Sequence, residues 1–223
     1  MKGLRVLLTG SDPLTEGLGR GIASRGADVR AGWRDPATRP ALEALLDAVA
    51  ADLGGVDLVV HTWVHPTALQ ARTVEDMTEA QWIDACEATL DGAFRLAQAA
   101  REHLLRSRGR LVYIVPTIAM TGAAGYAPFA AAAEGIRALA KGIAKTWGKD
   151  GITVNTIAVA APHLLGEGAE SLMKAGSLSP PALGSAGDPA DDLAPVLSLL
   201  TSSDAHFVTG STLVLDGGVW MAL

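Results

Sequence analysis

Apolar residues along this chain follow two alternating patterns. Short runs rich in Val, Leu and Ile occupy residues 5–8, 28–32, 58–61, 111–115, 153–158 and 212–215. Each is long enough for a strand and continuous enough in apolar character to be covered on both faces, as in a parallel sheet. Longer stretches with helical spacing separate them. The clearest covers residues 129–147, where Ile136, Leu139, Ala140, Ile143 and Trp147 recur at intervals of three and four while Glu134, Lys141 and Lys145 form the opposite stripe. Strand and helix in alternation argue for an α/β class chain with a doubly wound parallel sheet.

Residues 161–188 break the alternation. Gly166, Gly168, Gly176, Pro180, Pro181 and Gly184 interrupt it, so a long flap is expected there, either over a pocket or simply on the surface, with one short helix at 170–174. No internal repeat and no linker rich in Pro, Gly or Ser divides the 223 residues, of which 49% are hydrophobic, so residues 1–223 are expected to form one domain around one core. The net charge of −6 is spread along the chain with no Lys/Arg run, which argues against a nucleic-acid partner. Cys86 is the single cysteine, which excludes an internal disulfide and leaves a small apolar residue in a helix. The opening MKGLRVLLTG has too short an apolar run for a signal-peptide core or a membrane span, so the expectation is a cytoplasmic protein without a membrane partner.

Several landmarks then converge. Thr9-Gly10 follows the first strand, Trp82 and Leu90-Asp91-Gly92-Ala93-Phe94 share a helix, and Gly151-Ile152-Thr153-Val154-Asn155 leads into a strand. The chain closes with Phe207-Val208-Thr209-Gly210 and Leu215-Asp216-Gly217-Gly218. Together these resemble the short-chain dehydrogenases/reductases over nearly the whole chain. The resemblance implies a Rossmann-like three-layer αβα fold and hydride transfer between NAD(P) and an alcohol or carbonyl, with a Tyr acid/base supported by Lys, Ser and Asn. It also implies subunit association through the helices near 79–105 and 129–147 and the chain end 212–223. Ala130–Ala133 would allow close helix approach there, and Val219-Trp220-Met221-Ala222-Leu223 is an apolar tail suited to burial, although a monomer's last strand would be apolar too.

The family's phosphate loop, TGxxxGxG, begins at Thr9-Gly10 but meets Leu14 and Glu16 where its later glycines belong. Starting the motif at Gly17 and Gly19 leaves six residues of helix, about 9 Å, too short to return along a strand of about 17 Å. A helix beginning at Pro13, with Asp12 as N-cap, supplies about 20 Å. Asp12 then occupies the anion site and Glu16 adds charge, so no bound dinucleotide is expected and Gly10, Asp12, Leu14 and Glu16 form a vestigial loop. Between 33 and 56 there is room for one helix, at 40–53, so the adenine-side edge strand is missing and the sheet is expected to have six strands. Arg34 stands where NADP-using relatives place an Arg, but the favoured reading is an exposed loop arginine near Asp35.

The catalytic positions depart as well. Thr89 replaces the family's Asn, Pro116 its Ser, Phe129 its Tyr and Ala133 its Lys, and these vestigial positions are expected to converge at the mouth of a cleft. Where the family carries Asn-Asn-Ala-Gly, this chain has His61-Thr62-Trp63-Val64, followed by His65. His61, Trp63, His65, Thr117, Tyr126 and His163 are candidate pocket residues for a small hydrophobic ligand; alternatively, Trp63 fills the vacated cleft and the histidines serve local backbone groups. Tyr113 lies in a buried strand and is read as packing. No His/Cys/Asp/Glu spacing suggests a metal site. The leading expectation is a non-catalytic structural or regulatory subunit in a homo- or hetero-oligomer, possible partners including an intact paralogue. The alternatives are a cofactor-independent isomerase, cyclase or lyase reusing the cleft, and an NAD(P)-dependent oxidoreductase of unusual design.

Overall fold

The computed structural model describes residues 1–10, 12–32, 38–174, 176 and 178–221. Six parallel strands form one sheet in the order β2-β1-β3-β4-β5-β6. They are β1 Arg5–Thr9, β2 Asp28–Ala31, β3 Leu58–His61, β4 Arg110–Pro116, β5 Thr153–Val159 and β6 Thr212–Leu215. Register is regular, with Leu7 opposite Val59, Val59 opposite Leu111 and Leu111 opposite Val154.

Period-two alternation splits the central strands between two cores. Leu7, Val59, Leu111 and Val154 face a layer of helices α2 Arg39–Leu53, α4 Ala88–Ser107 and α6 Ala127–Trp147. Val6, Leu8, Leu58, Val60, Val112 and Ile157 face the opposite layer, α1 Pro13–Ala23 and α9 Ala194–Thr201. The small helices α3 Glu79–Trp82, α5 Ile118–Thr121, α7 Pro162–Leu165 and α8 Glu167–Lys174 lie between these larger ones in sequence. A π turn, Ile83–Glu87, joins α3 to α4, and a second, Pro189–Leu193, leads into α9. The sheet therefore has helices on both faces, the three-layer arrangement expected. Among the described residues no helix is long and apolar enough to cross a membrane.

Two expectations need correction. Strand β2 is not covered on both faces: Asp28, Arg30 and Ala31 are exposed, because β2 is the edge of the sheet among the described residues. Strand β6, at the other edge, is only half-buried. The flap 161–188 carries two helices, α7 and α8, rather than one, and α8 starts three residues earlier than its sequence suggests. Ala132 and Ala133 are buried within this chain, with Ala133 in the α2–α4–α6 core, while Ala131 is exposed.

Two landmark residues are structural clasps. Asn155 donates from Nδ2 to Val208 O (2.9 Å) and accepts at Oδ1 from Ser211 N (3.1 Å), holding the turn that feeds β6. The buried Asp216 carboxylate accepts N–H groups from Gly218 (2.9 Å), Val219 (3.1 Å) and Trp220 (2.9 Å). Met221 is 69% exposed, so the expected burial within the chain does not reach it; Ala222 and Leu223 lie outside the described residues.

Candidate functional site

In a doubly wound sheet, ligands bind beyond the carboxyl ends of the strands where the strand order reverses. Here that point lies between β1 and β3. Gly10 leaves β1 at φ +133°, a conformation suited to glycine, and Asp12 caps α1. Asp12 Oδ1 accepts from Thr15 N (2.8 Å) and from Thr15 Oγ1 (3.1 Å). Thr15 Oγ1 is 2.6 Å from Thr62 Oγ1, and the Thr62 hydroxyl in turn donates to Thr9 O. A Cβ placed on Gly10 would sit 2.2 Å from Thr62 Oγ1 and 2.6 Å from Thr15 Oγ1. The concavity at Gly10 is thus occupied by the chain's own hydroxyls and carboxylate. Sequence reasoning gave no role to Thr15 or Thr62: Thr62 was noted only as a departure from the family's Asn-Asn-Ala-Gly, and no signal pairs it with Thr15.

His61 ends β3, fully buried, with Nδ1 2.9 Å from Thr9 Oγ1 and its ring edge-on to Tyr113 at 5.7 Å. Burial pushes its pKa down to about 3, so the ring is neutral around pH 7. Trp63 is buried, with its ring 6.0 Å from that of His65. His65 Nδ1 accepts from Thr67 N (3.3 Å), and its own N–H donates to Thr89 Oγ1 (3.2 Å). Both Nδ1 atoms thus have neighbours within the chain, a hydroxyl for His61 and a backbone N–H for His65.

Thr89, Pro116, Phe129 and Ala133 are all buried. Phe129 and Ala133 contribute to different apolar clusters. Phe129 packs with Ile118, Tyr126, Ala68, Ala85 and Leu165, beneath the flap, whereas Ala133 belongs to the α2–α4–α6 core. Pro116 pairs with Val159 at the ends of β4 and β5. Thr117 follows, buried, its N–H donating to Val159 O (2.9 Å). Tyr126 is the N-cap residue of α6 and is buried; burial raises its pKa and keeps the phenol protonated. Its hydroxyl lies against Gly168 of α8, where a Cβ would come within 2.3 Å of it.

Comparison with known proteins decides the kinship. A family model described as enoyl-(acyl carrier protein) reductase matches residues 2–220. The chain belongs to the short-chain dehydrogenase/reductase family. The 3-oxoacyl-[acyl-carrier-protein] reductase of Haemophilus influenzae is 27% identical over 252 aligned positions, covering 100% of both chains. That of Vibrio cholerae is 30% identical over 182 residues, 81% of this chain and 73% of its own. The (2S)-[(R)-hydroxy(phenyl)methyl]succinyl-CoA dehydrogenase subunit BbsD of Thauera aromatica is 29% identical, covering 88% of this chain and 78% of its own. These relatives are named as reductases and a dehydrogenase subunit, which overturns the expectation of a non-catalytic subunit.

The family's dinucleotide does not fit the phosphate end of the crevice in the arrangement seen. Asp12 takes the Thr15 N–H, Glu16 N donates to Asp12 O (3.1 Å), Pro13 has no N–H, and the hydroxyls of Thr15 and Thr62 crowd Gly10. Leu14 is buried, and Glu16 is exposed on the first turn. Arg34 lies outside the described residues. His163 Nε2 is 2.8 Å from Ala186 O, fastening α7 to the far end of the flap. Cavities of about 460 and 500 Å³ lie where the flap meets the end of β6, and both are lined by Leu183, Leu215 and Gly217. Among the described residues no group of three metal-ligating side chains occurs.

Proposed function

We propose that this chain is an NAD(P)-dependent oxidoreductase acting on a carbonyl, or in reverse an alcohol, of a carrier-bound acyl group. The observation that carries this reading is the relationship to a 3-oxoacyl-[acyl-carrier-protein] reductase across the full length of both chains. The Thauera relative's name also describes an acyl group on a carrier, in that case CoA.

The proton donor cannot be at the family's Tyr position, because Phe129 has no ionisable proton. Tyr126 is the phenol nearest in sequence, three residues earlier at the start of the same helix, and it packs in the same cluster as Phe129. Its raised pKa makes it a donor rather than a base at neutral pH. No cation follows it by one turn, since residue 130 is Ala, so the phenol lacks a partner that would lower its pKa, and turnover is expected to be slow. Gly168 covers the hydroxyl, so substrate reaches it only when α8 moves aside.

The test is NADPH oxidation, followed by absorbance, with a short 3-oxoacyl thioester as substrate. Wild type is expected to oxidise NADPH in a substrate-dependent manner, and Tyr126→Phe to lower kcat by about 10²-fold or more. Absence of substrate-dependent oxidation at millimolar NADPH would sink the reading; an active Tyr126→Phe variant with unchanged kcat would remove Tyr126 from it.

A further inference from the structure

The disagreement between the family's dinucleotide and this crevice has a specific cause. We infer that the Asp12 carboxylate is an internal stand-in for a phosphate, so that a dinucleotide binds only by displacing Asp12 from the N-terminus of α1. A helix start offers free N–H groups and partial positive charge to one anion. In this chain an anion is already there, held by the N–H and hydroxyl of Thr15. The contact is supported from behind: Thr62 bridges Thr15 to Thr9, closing the space over Gly10 that a pyrophosphate oxygen would approach. Space cannot be regained by shifting α1, because Gly17 and Gly21 pack against Pro189 and Ala190, where even a Cβ would lie 2.7 Å and 2.5 Å from those residues. Asp12 therefore acts as a competitor with an effective concentration set by a two-residue tether, and it sets the affinity for the dinucleotide.

This inference rests on the oxidoreductase reading for its ligand but not for its site. The two are separated by titrating wild type, Asp12→Asn and Asp12→Gly with NADPH and with inorganic pyrophosphate, by calorimetry. Asp12→Asn keeps a capping oxygen but removes the charge; Asp12→Gly removes both, and thermal melts confirm that each variant is folded. The expected result is at least a tenfold gain in affinity for both ligands in Asp12→Gly and a smaller gain in Asp12→Asn. A gain for pyrophosphate with no preference for NADPH over pyrophosphate supports the displaced carboxylate and overturns the oxidoreductase reading. Tight NADPH binding by wild type that neither variant improves does the opposite. No gain for either ligand in either folded variant overturns the inference.

Discussion

At the scale of single residues, the strongest statements concern groups whose burial fixes their state. His61 is fully buried and its pKa is pushed down to about 3, against an unfolded value near 6.5. A depressed folded pKa means that the unfolded chain binds the proton first as pH falls. His61 therefore costs nothing above pH 7, and stability is lost progressively from about pH 6.5 toward 3, at up to about 1.4 kcal/mol per pH unit. His61→Asn, which cannot charge, should be less stable than wild type at pH 7.5 yet lose less stability between pH 7 and 5. Urea unfolding at three pH values measures this, and parallel losses in the two proteins would show that another group dominates. The sequence made Asp12 legible as a cap because Asp-Pro before an amphipathic run has one common meaning. It did not reveal Thr15 and Thr62, whose hydroxyls meet only because β1 and β3 are neighbours.

At the scale of elements, Gly17 and Gly19 were rejected from the sequence as a displaced phosphate loop and placed, with Gly21, inside α1. The structure gives some of them a different task. Gly21 faces the π turn before α9, with Ala190 O 2.5 Å and Ala194 Cβ 2.7 Å from where a Cβ would be. Gly21→Ala gains up to about 1 kcal/mol of helix propensity but overpacks this contact, at about 1–3 kcal/mol, so net destabilisation is expected. Gly142, within α6, has nothing within 4 Å of its added Cβ, and Gly142→Ala should stabilise by about 0.5–1 kcal/mol. Opposite signs in denaturant unfolding test the assignment; a stabilising Gly21→Ala would mean that α1 and the turn are not packed as seen. Strand positions were legible to within a residue or two because buried parallel strands are continuous apolar runs. The exposure of β2 was not drawn from the sequence, although the six-strand sheet expected from it already made Asp28-Val29-Arg30-Ala31 an edge.

At the scale of the whole molecule, the fold and the family were both readable from landmarks that hold the scaffold. Asn155 clasping the turn before β6 and Asp216 gathering three N–H groups are needed by the architecture, so they survive whatever happens in the crevice. Function was less legible for a physical reason. Thr89, Pro116, Phe129 and Ala133 identify which groups are absent, but the residues alone do not say what else the folded chain brings to the same place. Tyr126 and a flap were both named from the sequence, but that α8 of the flap lies against the Tyr126 hydroxyl became visible only in the folded chain. The relationship to named reductases then reverses the inference from absence.

The central claim is hydride transfer, and isotope transfer tests it most directly. Wild-type protein is incubated with a 3-oxoacyl thioester and NADPH deuterated at the transferring carbon, and the product is analysed by mass spectrometry. The account predicts a 3-hydroxyacyl thioester carrying one deuterium, formed in wild type and strongly reduced in Tyr126→Phe. No labelled product at saturating NADPH and substrate would contradict it.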